Sequence, residues 1–307
     1  MSGSHRSAGR ATPPPAESTP PAPGAEPVPP AAKEPPAGQP APEPPPPAKK
    51  PPAKAAKKTP AKKAAKKAAN KLTAPKELIS DLVLANKVLY GTKAVDAFGH
   101  ISVRHPADPN HYLMARHLPP GMVTAADIVT YDLDSNALTH QGMAYYSERF
   151  IHGEIYKVRP DVVSVVHCHA RPLIPFGAAK GAKLRPMYHM SGFLAEGVPV
   201  FEIREAGGMT DMLIRTPELG KALAACLCDK PVVLMRGHGA TMVGKSIRQV
   251  VFRAVYSTEN AILQMDAHRL GENGEVEFLT LEEGRKADGW GRSVDRAWSL
   301  WKDQIAG

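Results

Sequence analysis

The sequence has few cysteines, no long apolar run and no nucleotide-binding loop. Three cysteines among 307 residues (Cys168, Cys226 and Cys228) do not make a disulfide framework, which predicts a reducing, cytoplasmic location. No segment reaches the ~18–20 apolar residues that span a bilayer, and the first residues lack the apolar core of a secretory signal. We therefore expect no membrane partner. No GxGxxG or Walker loop follows a predicted strand, which argues against the common dinucleotide and nucleotide folds.

Composition divides the chain into two parts. Residues 1–75 hold 21 of the 32 prolines and 13 of the 39 Lys and Arg residues, but only 4 of the 30 Asp and Glu residues. Such a segment buries too little apolar surface to offset chain entropy, so we predict a disordered basic tail. Its Lys/Ala/Pro stretch, residues 51–70, is either a solvated linker or a weak, salt-sensitive contact for nucleic acid or another polyanion. Residues 76–307 are long enough for one full-sized domain.

Apolar periodicity in residues 76–307 predicts both helices and strands. A period of 3.6 residues and capping signals predict helices over 77–89, 148–158, 216–228 and 246–270. Alternating or short apolar runs predict strands at 100–106, 111–116, 127–134, 162–169 and 198–203, and two more within 232–244. Strands clustered between helices of this length predict an α/β fold whose sheet is covered by helices on both faces.

Two histidines end the strand predicted at 162–169. Side chains alternate along a strand, so His167 and His169 should point to the same face, with Cys168 opposite. On their own they could be hydrogen-bonded polar residues. His238 lies between two glycines at a predicted turn, and Glu148 lies in the first turn of a helix just upstream of the strand. Three imidazoles and one carboxylate match the ligand set of zinc, and suit manganese, cobalt or iron(II) nearly as well.

These residues lie in motifs that resemble those of the class II aldolase/adducin family. The motifs are SERFIH (147–152), RPDVVSVVHCHA (159–170) and RGHGATMVG (236–244). The resemblance extends over about residues 77–270 and implies a three-layer α/β/α sandwich with a mixed, mostly antiparallel central sheet, usually assembled as a homotetramer. In metal-dependent members the matching residues hold one divalent metal per subunit, Zn²⁺ or Mn²⁺, and the glutamate binds it or acts as base. These residues are Glu148, His167, His169 and His238.

The same family contains sugar-phosphate aldolases and decarboxylases of aromatic or pyridine dicarboxylic acids. Phosphate-binding aldolases usually carry a GN-x-S turn and a Ser-Ser pair before the glutamate. This sequence has His100 in place of the Asn, keeps Ser102, and has a Tyr before Ser147. These changes predict a pocket for a planar carboxylate or phenol, with His100, Arg104 or Arg116 pairing to it. The predicted substrate-binding residues are these three with Ser102 and Ser147. The two arginines could instead be solvated residues at a strand edge.

An acid must also return a proton to the carbanion that such a reaction leaves. Aldolases of the family use a tyrosine about twenty residues past the H-x-H motif, and here Tyr188 and His189 lie 19 and 20 residues beyond His169. Histidine has a pKa suited to proton transfer near neutral pH, although His189 could equally be a core or interface residue. In the family this acid can come from a neighbouring subunit.

We therefore predict a cytoplasmic, divalent-metal-dependent carbon–carbon lyase with a small-molecule substrate. The departures from the aldolase motifs favour decarboxylation of a hydroxylated aromatic or heteroaromatic acid. An aldolase acting on a small hydroxy-carbonyl compound or a sugar phosphate is the alternative in the same class. An adducin-like interaction protein without enzymatic activity is the alternative from another class.

Overall fold

The computed structural model describes residues 73–288 and 291–306. The chain divides into two units, residues 1–57 and 58–307, and every described residue belongs to the second. The predicted tail lies outside the described residues except for residues 73–75, so its disorder stays a prediction. Within the described ranges, no helix combines the length and the hydropathy needed to cross a membrane.

Seven strands in the described part of the chain form one sheet. They are β1 (His100–Arg104), β2 (His111–Ala115), β3 (Ile128–Asp132), β4 (Ser164–Cys168), β5 (Val200–Phe201), β6 (Val232–Met235) and β7 (Gly239–Gly244). Their order is β3-β2-β1-β4-β7-β6-β5. All neighbouring pairs are antiparallel except β5 and β6, which are parallel. The predicted mixed, mostly antiparallel sheet is confirmed.

Helices cover both faces of this sheet. They are α1 (Lys76–Gly91), α2 (Phe150–Val158), α3 (Ile174–Ala178), α4 (Ile203–Gly207), α5 (Pro217–Leu227), α6 (Ile247–Leu270), α7 (Leu281–Asp288) and α8 (Gly291–Ala306). One group consists of α1, α6 and α8, which contact each other, with α6 also contacting β4 and β7. A second group contains α2 and α5, which pack against each other.

Local signals in the sequence set where two of these helices begin. The hydroxyl of Thr216 accepts from the backbone N–H of Leu219 at the start of α5. In the same way Ser246 accepts from Gln249 at the start of α6. Each bond satisfies a backbone donor that the first helical turn leaves without a partner, which contributes about 1 kcal/mol.

The middle of the sheet carries buried apolar side chains on both faces, and these side chains surround its polar residues. Val165, Val166, Met242 and Val243 on β4 and β7 are each 1% exposed or less. Burial of such a side chain stabilises the fold by roughly 1.5–3 kcal/mol. His167 belongs to the same strand and is fully buried as well. A buried polar ring requires a hydrogen-bond partner, and the hydroxyl of Thr241 on β7 lies 3.3 Å from Nδ1 of His167.

Candidate metal centre

The four residues predicted to hold a metal come together at one end of β4. Glu148, His167, His169 and His238 each offer one ligand atom, and these atoms all lie within 4.8 Å of one another. Nε2 of His169 is 3.2 Å from Nε2 of His167 and 3.0 Å from Nε2 of His238. Oε2 of Glu148 is 3.5 Å from Nε2 of His167 and 3.6 Å from Nε2 of His238.

These separations fit ligands of a single ion. Donor atoms placed about 2.1 Å from one tetrahedral ion are themselves about 3.4 Å apart. The four closest separations bracket that value. The residues present therefore fit a divalent metal, and their nitrogen and oxygen donors suit zinc or manganese.

Sheet register and glycines place the three histidines. His167 on β4 lies opposite His100 on β1 and opposite Thr241 on β7. His169 follows directly after the end of β4, and His238 lies in the turn between β6 and β7.

The glycines that flank His238 are both required by geometry. Gly237 has φ of +63°, a conformation that favours glycine. A Cβ on Gly239 would lie 2.0 Å from the carbonyl oxygen of Cys168, so only glycine lets β7 approach β4 this closely. The RGHG motif therefore holds the imidazole of His238 against the end of β4.

Glu148 lies in a short 3₁₀ turn, Ser147–Arg149, that precedes α2. Its backbone departs from helical geometry, with φ −92° and ψ 16°. Oε1 accepts from the backbone N–H of Ile214 at 2.9 Å, which leaves Oε2 to face the histidines. The expectation of a regular helix from residue 148 is corrected here: α2 begins at Phe150.

Hydrogen bonds behind the histidines set their tautomers. Nδ1 of His169 lies 3.2 Å from the carboxylate of Asp96 and can only donate to it. Asp96 also accepts from the N–H groups of Phe98 and Gly99, which hold it in place. Nδ1 of His167 lies 3.3 Å from the hydroxyl of Thr241, which itself donates to the sulfur of a methionine. Both rings therefore carry the proton on Nδ1 and turn the Nε2 lone pair towards the cluster.

Burial and charge leave these groups in the protonation states that bind metals. Burial opposes ionisation of Glu148, but the imidazoles of His167 and His238 outweigh it and hold the pKa of the carboxyl well below its ordinary value. Burial lowers the pKa of His167, although Glu148 partly opposes this, so the ring is neutral at pH 7. An ionised carboxylate and a neutral imidazole are the forms that coordinate a cation.

A cleft of about 220 Å³ opens beside the cluster. Its lining residues are Phe98, His100, His117, Tyr146, Ser147, Glu148, His169 and Leu213. Five of them carry flat rings, and the rings of His100 and Tyr146 pack with centroids 4.6 Å apart. Larger cavities of about 530 and 580 Å³ lie around residues 175–185 and 181–200, and their lining includes no member of the four-residue cluster.

The cleft contains two of the five predicted substrate-binding residues. His100 and Ser147 line it. Ser102 does not, because it is fully buried and bonded to His152 and Tyr156 beneath the cleft. Its role in substrate binding stays a prediction.

Both predicted arginines are engaged elsewhere. The guanidinium of Arg104 donates to four backbone carbonyls, those of Pro109, Tyr156, Arg159 and Val162. Arg116 donates to the carboxylate of Asp127 at 2.7 Å. These contacts hold loops together, and neither arginine lines the cleft, so pairing of either one with the substrate stays a prediction.

The predicted acids also lie away from this cleft. Tyr188 packs near Tyr256, with ring centroids 6.5 Å apart, and His189 is exposed. Their segment is held by Asn260 on α6, which accepts from the N–H of Met187. In the described part of the chain neither residue lines the cleft of its own subunit. Their role as proton donors stays a prediction that needs a second copy of the chain.

Several residues of the site carry no signal that the sequence reveals. Asp96 lies 73 residues before its partner His169, and Thr241 lies 74 residues after His167. Leu213 and His117 reach the cleft from loops. The only local clue is the Asp96-x-Phe98-Gly99 turn, whose side-chain-to-backbone bonds are typical of aspartate.

Comparison with known proteins gives consistent likenesses. Residues 80–265 match the model of the class II aldolase and adducin N-terminal domain. Decarboxylase tropJ of Talaromyces stipitatus is 39% identical over 71% of this chain and 90% of that protein. A 3,4-dihydroxyphthalate decarboxylase of Arthrobacter keyseri is 31% identical over 57% of this chain and 72% of that protein.

A solved structure gives the same result. An aldolase II superfamily protein from Pseudomonas syringae aligns with a TM-score of 0.63 and 26% identity, over 76% of this chain and 94% of that one. This likeness confirms the predicted fold.

Proposed function

Since the chain belongs to the class II aldolase and adducin family, we propose that it is a divalent-metal-dependent lyase that decarboxylates a hydroxylated aromatic acid. Two of the relatives described above are decarboxylases, and one of these acts on 3,4-dihydroxyphthalate. The single observation that carries the proposal is the convergence of three Nε2 atoms and one carboxylate oxygen beside a cleft with aromatic walls.

The residues of the chain divide into those that hold the metal and those that hold the acid. His167, His169, His238 and Glu148 would hold a zinc or manganese ion. When bound, this ion supplies Lewis acidity, which withdraws electrons from the substrate as the carbon–carbon bond breaks.

The walls of the cleft favour an aromatic acid over a sugar phosphate. Tyr146 occupies the position of the first serine in the Ser-Ser pair of the aldolases, and its ring packs against His100. The ring of Tyr146 fills the space from which the small serine hydroxyl of an aldolase would reach a phosphate. The two rings, with Phe98 and His117, form flat surfaces that suit a planar substrate. Ser147 remains at the rim of the cleft and can donate to a carboxylate or phenol oxygen.

Side chains also exclude water from the site and deliver the proton that completes the reaction. Solvent is restricted at the cluster, since Glu148 and His238 are each only 8% exposed. A proton must then be delivered to the ring carbon that loses the carboxyl group. Tyr188 or His189 of a second subunit is our candidate for that donor, which makes a homo-oligomer part of the proposal.

The test is to supply acid and metal together and follow both products. Purified full-length protein, stripped with a chelator and reloaded with Zn²⁺ or Mn²⁺, is incubated with 3,4-dihydroxyphthalate and related hydroxylated aromatic acids. We expect about one metal per chain, release of carbon dioxide and a product lighter by one carboxyl group. A His167→Ala/His169→Ala variant should lose the metal and the activity together.

The alternatives predict different results. Cleavage of L-fuculose 1-phosphate into two carbonyl fragments, without carbon dioxide, would identify an aldolase instead. A wild-type chain that takes up no metal and turns over none of these compounds would favour the adducin-like interaction protein.

A further inference from the structure

A chain of buried hydrogen bonds leads from the cleft into the core beneath it. Nδ1 of His100 lies 2.7 Å from Nε2 of His152, and Nδ1 of His152 lies 2.6 Å from the hydroxyl of Ser102. That hydroxyl lies 2.7 Å from the hydroxyl of Tyr156. All four residues are at most 2% exposed. Only His100 reaches the cleft, and the other three have no part in holding the metal or the acid.

The hydroxyl of Tyr156, at the buried end of these hydrogen bonds, determines which group donates in each of them. The hydroxyl of Tyr156 has one proton and two neighbouring acceptors, the hydroxyl of Ser102 at 2.7 Å and the carbonyl of Val163 at 3.4 Å. That carbonyl already accepts from the N–H of Arg104 at 2.7 Å. We infer that Tyr156 donates to Ser102, because the alternative is a bond 0.7 Å longer to a carbonyl that already accepts a short bond from Arg104.

The position of Arg104 supports the same direction. Its guanidinium lies 4.6 Å from the centre of the Tyr156 ring. A cation over the ring withdraws electron density from the phenol and makes its O–H a better donor.

Each bond then determines the next. Ser102 receives from Tyr156, so its own proton points to Nδ1 of His152. The ring of His152 carries a single proton, since full burial lowers its pKa to about 3. That proton must be on Nε2, from which it is donated to Nδ1 of His100. Nδ1 of His100 accepts this proton and carries none of its own, so the proton of the His100 ring is on Nε2.

We propose that Tyr156, Ser102 and His152 are positioning residues that hold His100 as the Nε2–H tautomer, a neutral hydrogen-bond donor to an acceptor oxygen of the substrate in the cleft. This inference rests on the proposed function for the nature of that oxygen, a carboxylate or phenolate oxygen of an aromatic acid. The physical consequence is that the cleft selects ligands that place a hydrogen-bond acceptor opposite the Nε2–H of His100. A ligand that offers a donor there would leave the N–H of His100 unsatisfied, which costs binding energy.

The tautomer can be measured without any turnover. We would record long-range ¹H–¹⁵N correlation spectra of the full chain, labelled with ¹⁵N-histidine and loaded with diamagnetic Zn²⁺. The His100 signals are assigned by their loss in His100→Gln. We expect a protonated Nε2 and an unprotonated Nδ1, and a shift of the Nε2 signal on addition of 3,4-dihydroxybenzoate as an acceptor probe. A proton on Nδ1 of His100, or an unmoved Nε2 signal when the probe binds, overturns the proposal.

Removing one hydroxyl at a time distinguishes a positioning role of Tyr156 from a packing role. Tyr156→Phe removes the donor at the end of the chain. Tyr112→Phe is the matched control, because Tyr112 is a fully buried neighbour whose ring lies 5.4 Å from that of Tyr156, while its hydroxyl bonds to Ser135 instead. We expect Tyr156→Phe to give a mixture of His100 tautomers and to raise KM for the acid by about tenfold, with a much smaller change in kcat. The control should change neither. Equal effects of the two substitutions contradict the proposal.

A conservative replacement at His152 provides a rescue. Glutamine can accept from Ser102 through its oxygen and donate to His100 through its nitrogen, which keeps the direction of the chain. His152→Gln should therefore retain the Nε2–H tautomer of His100, while His152→Leu should lose it with metal content unchanged. Loss of the tautomer in both variants, or in neither, counts against the proposal.

The two proposals fail in different ways. An Nε2–H tautomer in a protein that decarboxylates nothing refutes the proposed function alone. An Nδ1–H tautomer in an active decarboxylase refutes the positioning role alone.

Discussion

Replacing Asp96 by Asn should weaken metal binding without disturbing the fold. The carboxylate accepts from Nδ1 of His169 at 3.2 Å through Oδ2, while Oδ1 accepts from the N–H groups of Phe98 and Gly99. An asparagine keeps Oδ1 and the two bonds of the turn. Its amide N–H₂ replaces Oδ2 and faces the N–H of the imidazole, so the bond that orients His169 and increases its basicity is lost.

The size of the effect follows from the exposure of this pair. Loss of such an outer hydrogen bond costs a metal site about 10- to 100-fold in affinity. Asp96 is 44% exposed and water can partly replace it, so we expect the lower end, about tenfold or ~1.4 kcal/mol. The pKa of Asp96 is lowered, since the turn N–H groups and His169 outweigh the opposing effect of burial. The carboxylate is therefore ionised at pH 7, where the measurement is made.

The assay is competition for Zn²⁺ with a chromophoric chelator at fixed pH and salt. Asp108→Asn is the matched control, because Asp108 contacts the ring of His111 at 3.3 Å outside the cluster. It should leave the affinity unchanged. A Zn²⁺ affinity for Asp96→Asn within twofold of the wild type, or an equal loss in both variants, would refute the argument that this bond supports the metal site.

Two further predictions concern stability, measured by urea unfolding. Gly239→Ala should destabilise the fold by about 1–3 kcal/mol and also weaken Zn²⁺ binding, because the added Cβ would meet the Cys168 carbonyl at 2.0 Å. Gly91→Ala, whose Cβ would only touch a side chain at 3.4 Å, should change stability by less than about 0.5 kcal/mol, and similar losses in both would contradict the close-approach argument. Asp127→Asn should cost about 1 kcal/mol at pH 7, because bonds from Thr124 outweigh burial and lower the pKa of this carboxyl. That deficit should vanish as the pH falls below about 3.9 and through the lower folded-state pKa, since the wild-type group is then protonated too; a deficit that persists in acid would show that charge is not its cause.

Much of the fold could be predicted, because its elements carry local signals. The helix predicted over 77–89 is Lys76–Gly91, and the strand predicted at 111–116 is His111–Ala115. The order of the strands could not be derived in this way. β1 and β4 are neighbours although about sixty residues separate them, and no local periodicity encodes that pairing. The family resemblance supplied the expectation of a mixed sheet.

The two arginines show that residue type alone does not identify the partner of a side chain. Arg104 and Arg116 were predicted partners for an anion because a guanidinium pairs well with a carboxylate. In the fold, Arg104 donates to four backbone carbonyls and Arg116 donates to the carboxylate of Asp127. A side chain that is rich in donors serves whichever acceptors the loops bring to it, and the sequence does not state which those are.

The sequence by itself determined the donor set of the candidate metal centre, because alternation along a strand puts His167 and His169 on one face and glycines mark the turn that carries His238. Only the tertiary structure decided what surrounds those donors. Asp96 and Thr241 orient the ligands, and a buried chain ending at Tyr156 orients His100. The physical reason is distance along the chain. Alternation and turn geometry act between neighbouring residues, whereas a hydrogen bond between residues 52 to 74 positions apart exists only once the sheet and its covering helices have packed.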